Sequence, residues 1–430
     1  MMPGPLADRS SPRPGRRGPI RRLLAALGPG VVTGAADDDP SGIATYSIAG
    51  AQLGTALLWT ALFTWPLMAA VQMMCARIGM VTGRGLTGAL RARFPRSVVV
   101  GFALALLAAN TINVGADLSG MADAAEMVSG IDSHFWVLVI GGALAWATIR
   151  LRYTVIARTL KWLALVLFAY VIAAIHIHPD WSVVWRATVT PSWPANRLSW
   201  AALVAILGTT ISPYLFFWQA SQEVEEERSL GRATVEARIG ATREELRGRR
   251  LDVGIGTFFS NVVMYAIILT TAWTLHRAGL TRIATSREAA EALRPLAGRL
   301  AAGLYTAGLL GVGILSIPTL TGSAAYALAE AFDWQEGLDR KWREAPMFYG
   351  VVVLMTLGGV AFDFFSLPPI TTLFWSAVIN GLLAPVLLMG ILVLASDSAL
   401  MARQPSGLLS RLVVGAATVL MAGAAFGLLL

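Results

Sequence analysis

The stretch GPGVVTGAADDDPSGIATYSIAGAQLG, residues 28–54, has the composition of a membrane-spanning helix but contains a break in its middle. Pro40 has no backbone N–H and clashes with the preceding turn, so a regular helix cannot run through it. Three acids, Asp37, Asp38 and Asp39, come directly before the proline. An Asp at the centre of a bilayer costs about 2.5–3.5 kcal/mol on insertion scales, and such residues mark functional sites.

The rest of the chain predicts an all-α membrane protein. Of its 430 residues 56% are hydrophobic and only 14% are charged, whereas soluble domains carry roughly 25% charged residues. We expect a disordered cytoplasmic tail over residues 1–22, rich in Pro, Gly and Arg, and a single transmembrane domain over residues 23–430. Stretches near or above the ~20 residues needed to cross the hydrocarbon predict about eleven spans, at residues 22–50, 56–78, 98–120, 134–150, 156–177, 199–222, 252–275, 300–329, 346–362, 369–396 and 408–429.

The basic residues predict the orientation of these spans. With the N-terminus in the cytoplasm and the C-terminus outside, 27 of the 34 Lys and Arg residues lie in the tail and the cytoplasmic loops, as the positive-inside rule requires. The net charge of +8 therefore reflects topology in a cell (inner) membrane, and we expect no nucleic-acid partner. The mixed charges of residues 223–250 predict a solvated cytoplasmic helix. Cys75 is the only cysteine, so an intrachain disulfide is excluded and redox chemistry is not expected.

A second break follows in the sixth predicted span. Pro213 lies in its middle and comes after Gly208, Thr209, Thr210 and Ser212. Each break falls in the first helix of a set of five, which predicts a 5+5 inverted repeat of the LeuT-like kind, with repeat one at 23–178, repeat two at 199–396 and an extra helix at 408–429. In such transporters the broken helices meet near the midplane and free backbone carbonyls for ions. The alternative is that both prolines are ordinary kinks.

The acids of the first break suggest a cation site. Consecutive residues on a helix point about 100° apart, so Asp37, Asp38 and Asp39 cannot all face one ion. Asp39, next to the break, is the best candidate ligand; Asp38 is a further ligand or a vestibule charge, and Asp37 faces a wet crevice. Carboxylate, carbonyl and hydroxyl oxygens suit Mg²⁺, Ca²⁺ or Mn²⁺.

Polar residues in other spans predict either a pathway or packing contacts. Steps of three and four place Asn110, Asn113 and Asp117 on one face of the third span, where they line an aqueous path or form a polar seam between helices. Asn261 and Asn380, in the seventh and tenth spans, are gate residues or the interhelical hydrogen-bonding groups that membrane bundles use.

Residues 39–42, Asp-Pro-Ser-Gly, resemble the Asp-Pro-Gly-Asn motif of the natural resistance-associated macrophage protein (NRAMP) metal transporters. Residues 211–214, Ile-Ser-Pro-Tyr, are similar to their Met-Pro-His motif. The resemblance covers the first ten spans, and the eleventh also fits. It implies an inverted-repeat fold and transport of divalent metal ions by alternating access, with no cofactor beyond the transported ion.

The resemblance also implies a ligand set. It implies Asp39 as the ligand of the first break and the Thr209 carbonyl as a ligand of the second. Gly42 stands where the family has its Asn ligand, and Ser212 stands where it has a Met thioether. Without sulfur, the preference for softer transition metals weakens. The wider, harder site suits a partly hydrated Mg²⁺, as in the NRAMP-related magnesium transporters, with Mn²⁺ as a co-substrate.

Proton coupling is expected to be weak or absent. In the family it is associated with the His of the second motif, replaced here by Tyr214, and with charged residues on the third and ninth spans. Tyrosine does not titrate near neutrality, and the ninth predicted span, residues 346–362, has no charge. Tyr214, together with Ser41 and Asp37, is then a candidate residue of the ion pathway or its gate.

Two other classes of function compete with metal transport. An amino-acid transporter of the same broken-helix fold would hold a substrate carboxylate at a half-helix N-terminus, but three aspartates beside the break would repel it. An intramembrane aspartyl protease needs two carboxylates about 3 Å apart, and Asp117 is the only evident partner for Asp39. We therefore expect that the chain is not an enzyme.

Overall fold

The computed structural model describes residues 34, 37–150, 165–365 and 367–430. The predicted tail, residues 1–22, lies outside these residues, as do most of the first half of the predicted span 22–50 and the first part of the span 156–177. The bounds of the predicted domain and repeats therefore remain predictions.

The described residues form helices joined by short loops, and they contain no strand. Short 3₁₀ turns occur at Leu165–Leu167, Glu291–Leu293 and Gly298–Leu300, and a π-turn at Ala272–His276. The α-helices are α1 Pro40–Leu53, α2 Trp59–Thr82, α3 Leu86–Arg91, α4 Arg96–Ser129, α5 Ser133–Arg150, α6 Phe168–His176, α7 Trp181–Val189, α8 Arg197–Thr210, α9 Pro213–Ser229, α10 Val235–Arg238, α11 Arg243–Thr271, α12 Ser286–Ala290, α13 Arg294–Ala297, α14 Ala301–Phe332, α15 Pro346–Asp363, α16 Pro369–Ser396 and α17 Leu408–Leu429.

Eight helical stretches in the described part of the chain are long and apolar enough to cross a membrane. They comprise α2, α4, α8 with α9, α11, α12 to α14, α15, α16 and α17. The 18-residue helix α5 coincides with the predicted span 134–150. The prediction of an all-helical, multi-pass membrane protein is confirmed.

Both predicted breaks are helix starts of the same construction. Asp39 is the N-cap of α1 and Pro40 is its first residue; Ser212 is the N-cap of α9 and Pro213 is its first residue. A proline at the first helical position loses nothing, because its missing N–H would have no intrahelical partner there. The sixth span is thus two helices, with α8 ending at Thr210.

The helix that starts at the first break lies at the centre of the molecule. Helix α1 packs against α8, α11 and α16, and α8 also packs along α16. The α8–α16 contact is a close backbone approach, because a Cβ added at Gly208 would collide with the Ala377 carbonyl oxygen and the Gly381 backbone nitrogen. Small residues allow membrane helices to approach in this way. The two breaks are therefore held by the same set of packed helices.

The prediction of one solvated helix over residues 223–250 is wrong. Helix α9 ends at Ser229, and α11 begins only at Arg243. The Arg249 side chain is only 9% exposed; its Nε lies 2.8 Å from the Glu223 carboxylate and its Nη1 2.7 Å from that of Asp252. A run of mixed acidic and basic residues looks the same in sequence whether its side chains face water or, as here, form a buried ion cluster.

The ninth helix carries one charged residue, contrary to expectation, because it extends one residue past the predicted span 346–362. Helix α15 continues to Asp363, which accepts a hydrogen bond from Ser119 Oγ at 2.6 Å and lies 2.7 Å from His134 Nδ1. These contacts join the end of α15 to α4 and to the start of α5.

Candidate ion site at the two helix breaks

The Asp39 carboxylate is buried and oriented by three donors. Its Oδ1 accepts hydrogen bonds from Ser41 Oγ at 2.6 Å and from the Gly42 backbone N–H at 2.8 Å. Its Oδ2 accepts one from Asn113 Nδ2 at 3.1 Å. The first two donors belong to the N-cap geometry that starts α1, and the third comes from α4. The carboxylate is thus fixed at the break, and the three groups that donate to it are neutral.

The two breaks meet at Gly42 and Thr209. A Cβ added to Gly42 would lie 3.1 Å from Thr209 Oγ1 and 3.6 Å from Asp39 Oδ1. Thr209 is 1% exposed and belongs to the last turn of α8, where carbonyls have no partner further along the helix. Even a Cβ would fit tightly at Gly42, so the missing side chain lets the end of α8 approach the carboxylate closely.

Ser212 occupies the gap between α8 and α9. Its Oγ lies 2.7 Å from the Gly208 carbonyl oxygen and 2.8 Å from the Thr209 carbonyl oxygen. A hydroxyl has one hydrogen to donate, so one of the two carbonyls at a time lacks this donor. The end of α8 therefore presents carbonyl and hydroxyl oxygens at the second break.

Asp37 and Asp38 lie against α11 and share one donor. Ser260 Oγ lies 2.5 Å from Asp37 Oδ2 and 3.2 Å from Asp38 Oδ1. The expectation that Asp37 faces a wet crevice is wrong, because the side chain is fully buried and contacts Ser260 of α11. Its role in the ion pathway remains a prediction. Ser260 escaped the sequence analysis, because a single serine in an apolar helix forms no distinctive pattern.

One face of α4 carries three polar residues that point toward α14 and the first helix break. They are Asn110, Asn113 and Asp117. Asn110 Nδ2 donates to the Leu320 carbonyl and to Ser323 Oγ, both at 2.9 Å, and Ser316 Oγ donates to Asp117 Oδ2 at 3.3 Å. We call the three α4 residues with Ser316 and Ser323 of α14 the polar row. All three α4 side chains are fully buried, and one oxygen of each has no hydrogen-bond partner within the described residues.

The remaining predicted residues lie around this centre. Asn261 accepts from Thr64 Oγ1 at 2.9 Å and donates to the Thr257 carbonyl at 2.9 Å, contacts that favour the packing alternative for this residue. Asn380 is buried on α16, and Tyr214 is buried in the first turn of α9. Their pathway roles remain predictions.

The groups that donate to Asp39 are a hydroxyl, a side-chain amide and a backbone N–H. The nearby end of α8 adds carbonyl and hydroxyl oxygens. In the part of the chain that the structure describes, no three His, Cys, Asp or Glu side chains group as a metal site. The arrangement offers one fixed carboxylate with neutral oxygen donors, which is a hard-ligand environment.

Solved structures similar to this chain share its fold. A manganese transporter of Eremococcus coleocola, solved with an aromatic bis-isothiourea compound, superposes with a TM-score of 0.72 at 19% identity, over 96% of this chain and 87% of that one. Mhp1, a nucleobase-cation-symport-1 family transporter, gives a TM-score of 0.56 at 14% identity over 94% and 92%. The prediction of an inverted-repeat, LeuT-like fold is confirmed.

Similar sequences include the divalent metal cation transporters MntH of Yersinia pestis (strain Pestoides F) and of Yersinia pseudotuberculosis serotype O:3 (strain YPIII). Each is 28% identical over 297 residues, which cover 66% of this chain and 68% of the relative. These proteins are transporters, and the prediction that the chain is not an enzyme is confirmed.

The family model described as natural resistance-associated macrophage protein-like matches residues 30–430. This match spans both helix breaks and every described helix from α1 to α17. The resemblance seen in the two proline motifs is thereby confirmed, and the chain belongs to the natural resistance-associated macrophage protein-like family of transporters.

Proposed function

We propose that this chain carries divalent metal cations, Mg²⁺ and Mn²⁺, into the cytoplasm by alternating access at the two helix breaks. The observation that carries the proposal is the buried Asp39 carboxylate, fixed by Ser41, Gly42 and Asn113 beside the end of α8. The similar proteins named as manganese and divalent metal cation transporters support it.

The ligands of this proposal are oxygens. Asp39 supplies the charge, Thr209 its carbonyl and Ser212 its hydroxyl, while Gly42 lets the two helix ends approach; Asp38 adds negative charge nearby. Mg²⁺ dehydrates reluctantly and is usually bound through one or two carboxylates with several retained waters. A single fixed carboxylate suits such an ion, and the absence of sulfur from these positions removes a preference for softer metals.

Proton movement is not required by this site. The hydrogen bonds to Asp39 come from a hydroxyl, an amide and a backbone N–H, none of which ionises near neutral pH. Tyr214 takes the position that the family resemblance associates with a titrating His. We therefore propose uptake driven by the membrane potential in a cell (inner) membrane, with the N-terminus cytoplasmic and the C-terminus outside.

The test is uptake of Mg²⁺ and Mn²⁺ by the purified full-length chain in liposomes with an ion-sensitive dye inside. We expect saturable entry of both ions in the wild type and loss of at least about tenfold in rate for Asp39→Ala, because a charge-assisted ligand contributes more than about 1.4 kcal/mol. The matched control is Asp180→Ala, which removes an exposed N-cap carboxylate far along the chain, at the start of α7.

Equal entry of both ions in the wild type and in Asp39→Ala would show that the site is misassigned. Saturable uptake of an amino acid in the absence of divalent ions would instead support the competing transporter class.

A further inference from the structure

Asp117 lies one helical turn beyond the residue that holds Asp39, and either a path-lining or a packing role is open to it. On α4 it follows Asn113 by four residues, a rise of about 6 Å at 1.5 Å per residue. It is fully buried. Ser316 donates to its Oδ2 at 3.3 Å, and its Oδ1 has no hydrogen-bond partner within the described residues.

Ser41 lies between the two carboxylates. Its hydroxyl donates to Asp39, and its backbone N–H and the Asp39 carboxylate are both near enough to Asp117 to influence that carboxyl group. Both acids therefore face the N-terminus of α1, where unpaired N–H groups and the helix dipole favour negative charge. That partial charge does not balance two buried carboxylates.

No basic side chain balances them either. Among the ion pairs formed by the described residues, none involves Asp39 or Asp117. An isolated buried carboxylate is costly unless a partner or a cation compensates it. The unpartnered, fully buried Oδ1 of Asn113, whose amide also holds Asp39, offers a further oxygen between the two acids.

We propose that Asp117 is the second carboxylate of the ion site and contacts the transported ion through its retained water. This inference rests on the proposed function and deepens it. Contact through one water adds about 2.1 Å for the Mg²⁺–water bond and about 2.7 Å for a hydrogen bond. This reach suits a carboxylate about one helical turn along α4 from the residue that holds Asp39. Asp39 then binds the ion directly, and Asp117 selects ions that keep their water.

The order along α4 also gives the ion a direction of approach. Under the positive-inside orientation, α4 runs from the cytoplasm at Arg96 toward the outside, so Asp117 lies on the outer side of Asp39. A hydrated ion entering from outside meets Asp117 first and loses water only at Asp39. Asn110, on the inner side, continues the polar row toward the cytoplasm.

The experiment compares Asp117→Asn with Asp123→Asn in the liposome assay. Both changes remove one charge from α4 and keep an acceptor oxygen; Asp123 accepts a hydrogen bond from the Ser286 N–H outside the polar row. We expect Asp117→Asn to raise the KM for Mg²⁺ about tenfold and that for Mn²⁺ clearly less, because Mg²⁺ gives up water more reluctantly. Asp123→Asn should stay within about twofold of the wild type for both ions.

Cobalt(III) hexaammine, whose ligands do not exchange, provides a second readout that folding defects do not imitate. It should inhibit Mg²⁺ uptake by the wild type and lose most of this effect in Asp117→Asn. The proposal is overturned if Asp117→Asn and Asp123→Asn behave alike, or if the KM values for Mg²⁺ and Mn²⁺ rise equally with inhibition unchanged. Failure of the wild type to transport either ion, or indifference to Asp39→Ala, would instead overturn the proposed function.

Discussion

At the scale of single residues, the proposed site is distinguished by two positions, Gly42 and Ser212, that carry neither an amide nor a thioether. Gly42 has no side-chain ligand atom and lets Asp39 and Thr209 approach closely. Ser212 carries a hydroxyl that is engaged with the carbonyls of α8. The proposed site therefore offers an ion oxygen ligands only.

A thioether at Ser212 should change the preference among metals. We expect Ser212→Met to lower the KM for Cd²⁺ at least about fivefold relative to that for Mg²⁺, because soft sulfur favours soft cations. The comparison with Ser212→Ala separates the gained sulfur from the lost hydroxyl. An unchanged ratio of the Cd²⁺ and Mg²⁺ constants in both variants would place Ser212 outside the ion's reach.

An acid at Asn113 should introduce proton movement. Asn113→Asp places a further carboxylate in direct hydrogen-bonding contact with Asp39, and two buried carboxyl groups in direct contact share a proton until a cation replaces it; Asp117 makes no such direct contact with Asp39. We expect metal entry into liposomes to be accompanied by proton movement in this variant, measured with a pH dye inside. Asn110→Asp, one turn away beside Leu320 and Ser323, is the control and should move far fewer protons per metal ion.

The sequence allowed Asp39 and the two breaks to be predicted, because proline and buried acid leave a local signature. The Asn113 contact with Asp39 and the Ser260 contact with Asp37 and Asp38 could not be predicted. Each joins residues more than 70 positions apart in the chain, and only the packing of α4 and α11 around α1 brings them together.

At the scale of helices, the positions of most elements followed from apolar length and from proline. The predictions of helix boundaries and exposure failed where charged side chains are buried instead of solvated. Arg249 is enclosed with Glu223 and Asp252, and a mixed charge run looks the same in sequence whether it faces water or pairs inside a protein. Such a buried pair does not by itself imply added stability, because desolvation opposes the attraction.

The contact between α8 and α16 should be intolerant of any side chain at Gly208. We expect Gly208→Val to lower the thermal unfolding midpoint of the purified protein by several degrees or to prevent its folding, since overpacking costs about 1–3 kcal/mol or more. Gly142→Val on α5, where nothing lies within 4 Å of an added Cβ, should leave the midpoint unchanged. Similar behaviour of the two variants in size-exclusion chromatography and thermal unfolding would contradict the proposed closeness of α8 and α16.

At the scale of the whole molecule, the orientation in the membrane decides how the membrane potential acts on a transported cation. The asymmetry of basic residues predicts that Asp117 lies on the extracytoplasmic side of Asp39 and that the charged region 223–250 faces the cytoplasm. A divalent cation moving inward gains about 4.6 kcal/mol per 100 mV, twice the value for a unit charge. The potential alone is therefore sufficient to drive accumulation.

Uptake should accordingly respond to voltage without acidification. With an inside-negative potential set by potassium and valinomycin, we expect Mg²⁺ entry to increase severalfold while the pH inside the liposomes stays constant. The same measurement without valinomycin is the control. Stoichiometric acidification as metal enters would contradict potential-driven, proton-independent transport.

The central claim is that the two breaks form a sulfur-free, oxygen-lined site for a hydrated divalent cation. Competition in liposomes tests it most directly: uptake of a fixed concentration of Mn²⁺ by the wild type is measured against increasing Mg²⁺ and, separately, increasing Cd²⁺. The oxygen ligands predict that Mg²⁺ inhibits Mn²⁺ entry at concentrations similar to those of Cd²⁺. Inhibition by Cd²⁺ at concentrations a hundredfold or more lower, with no effect of Mg²⁺, would contradict the claim.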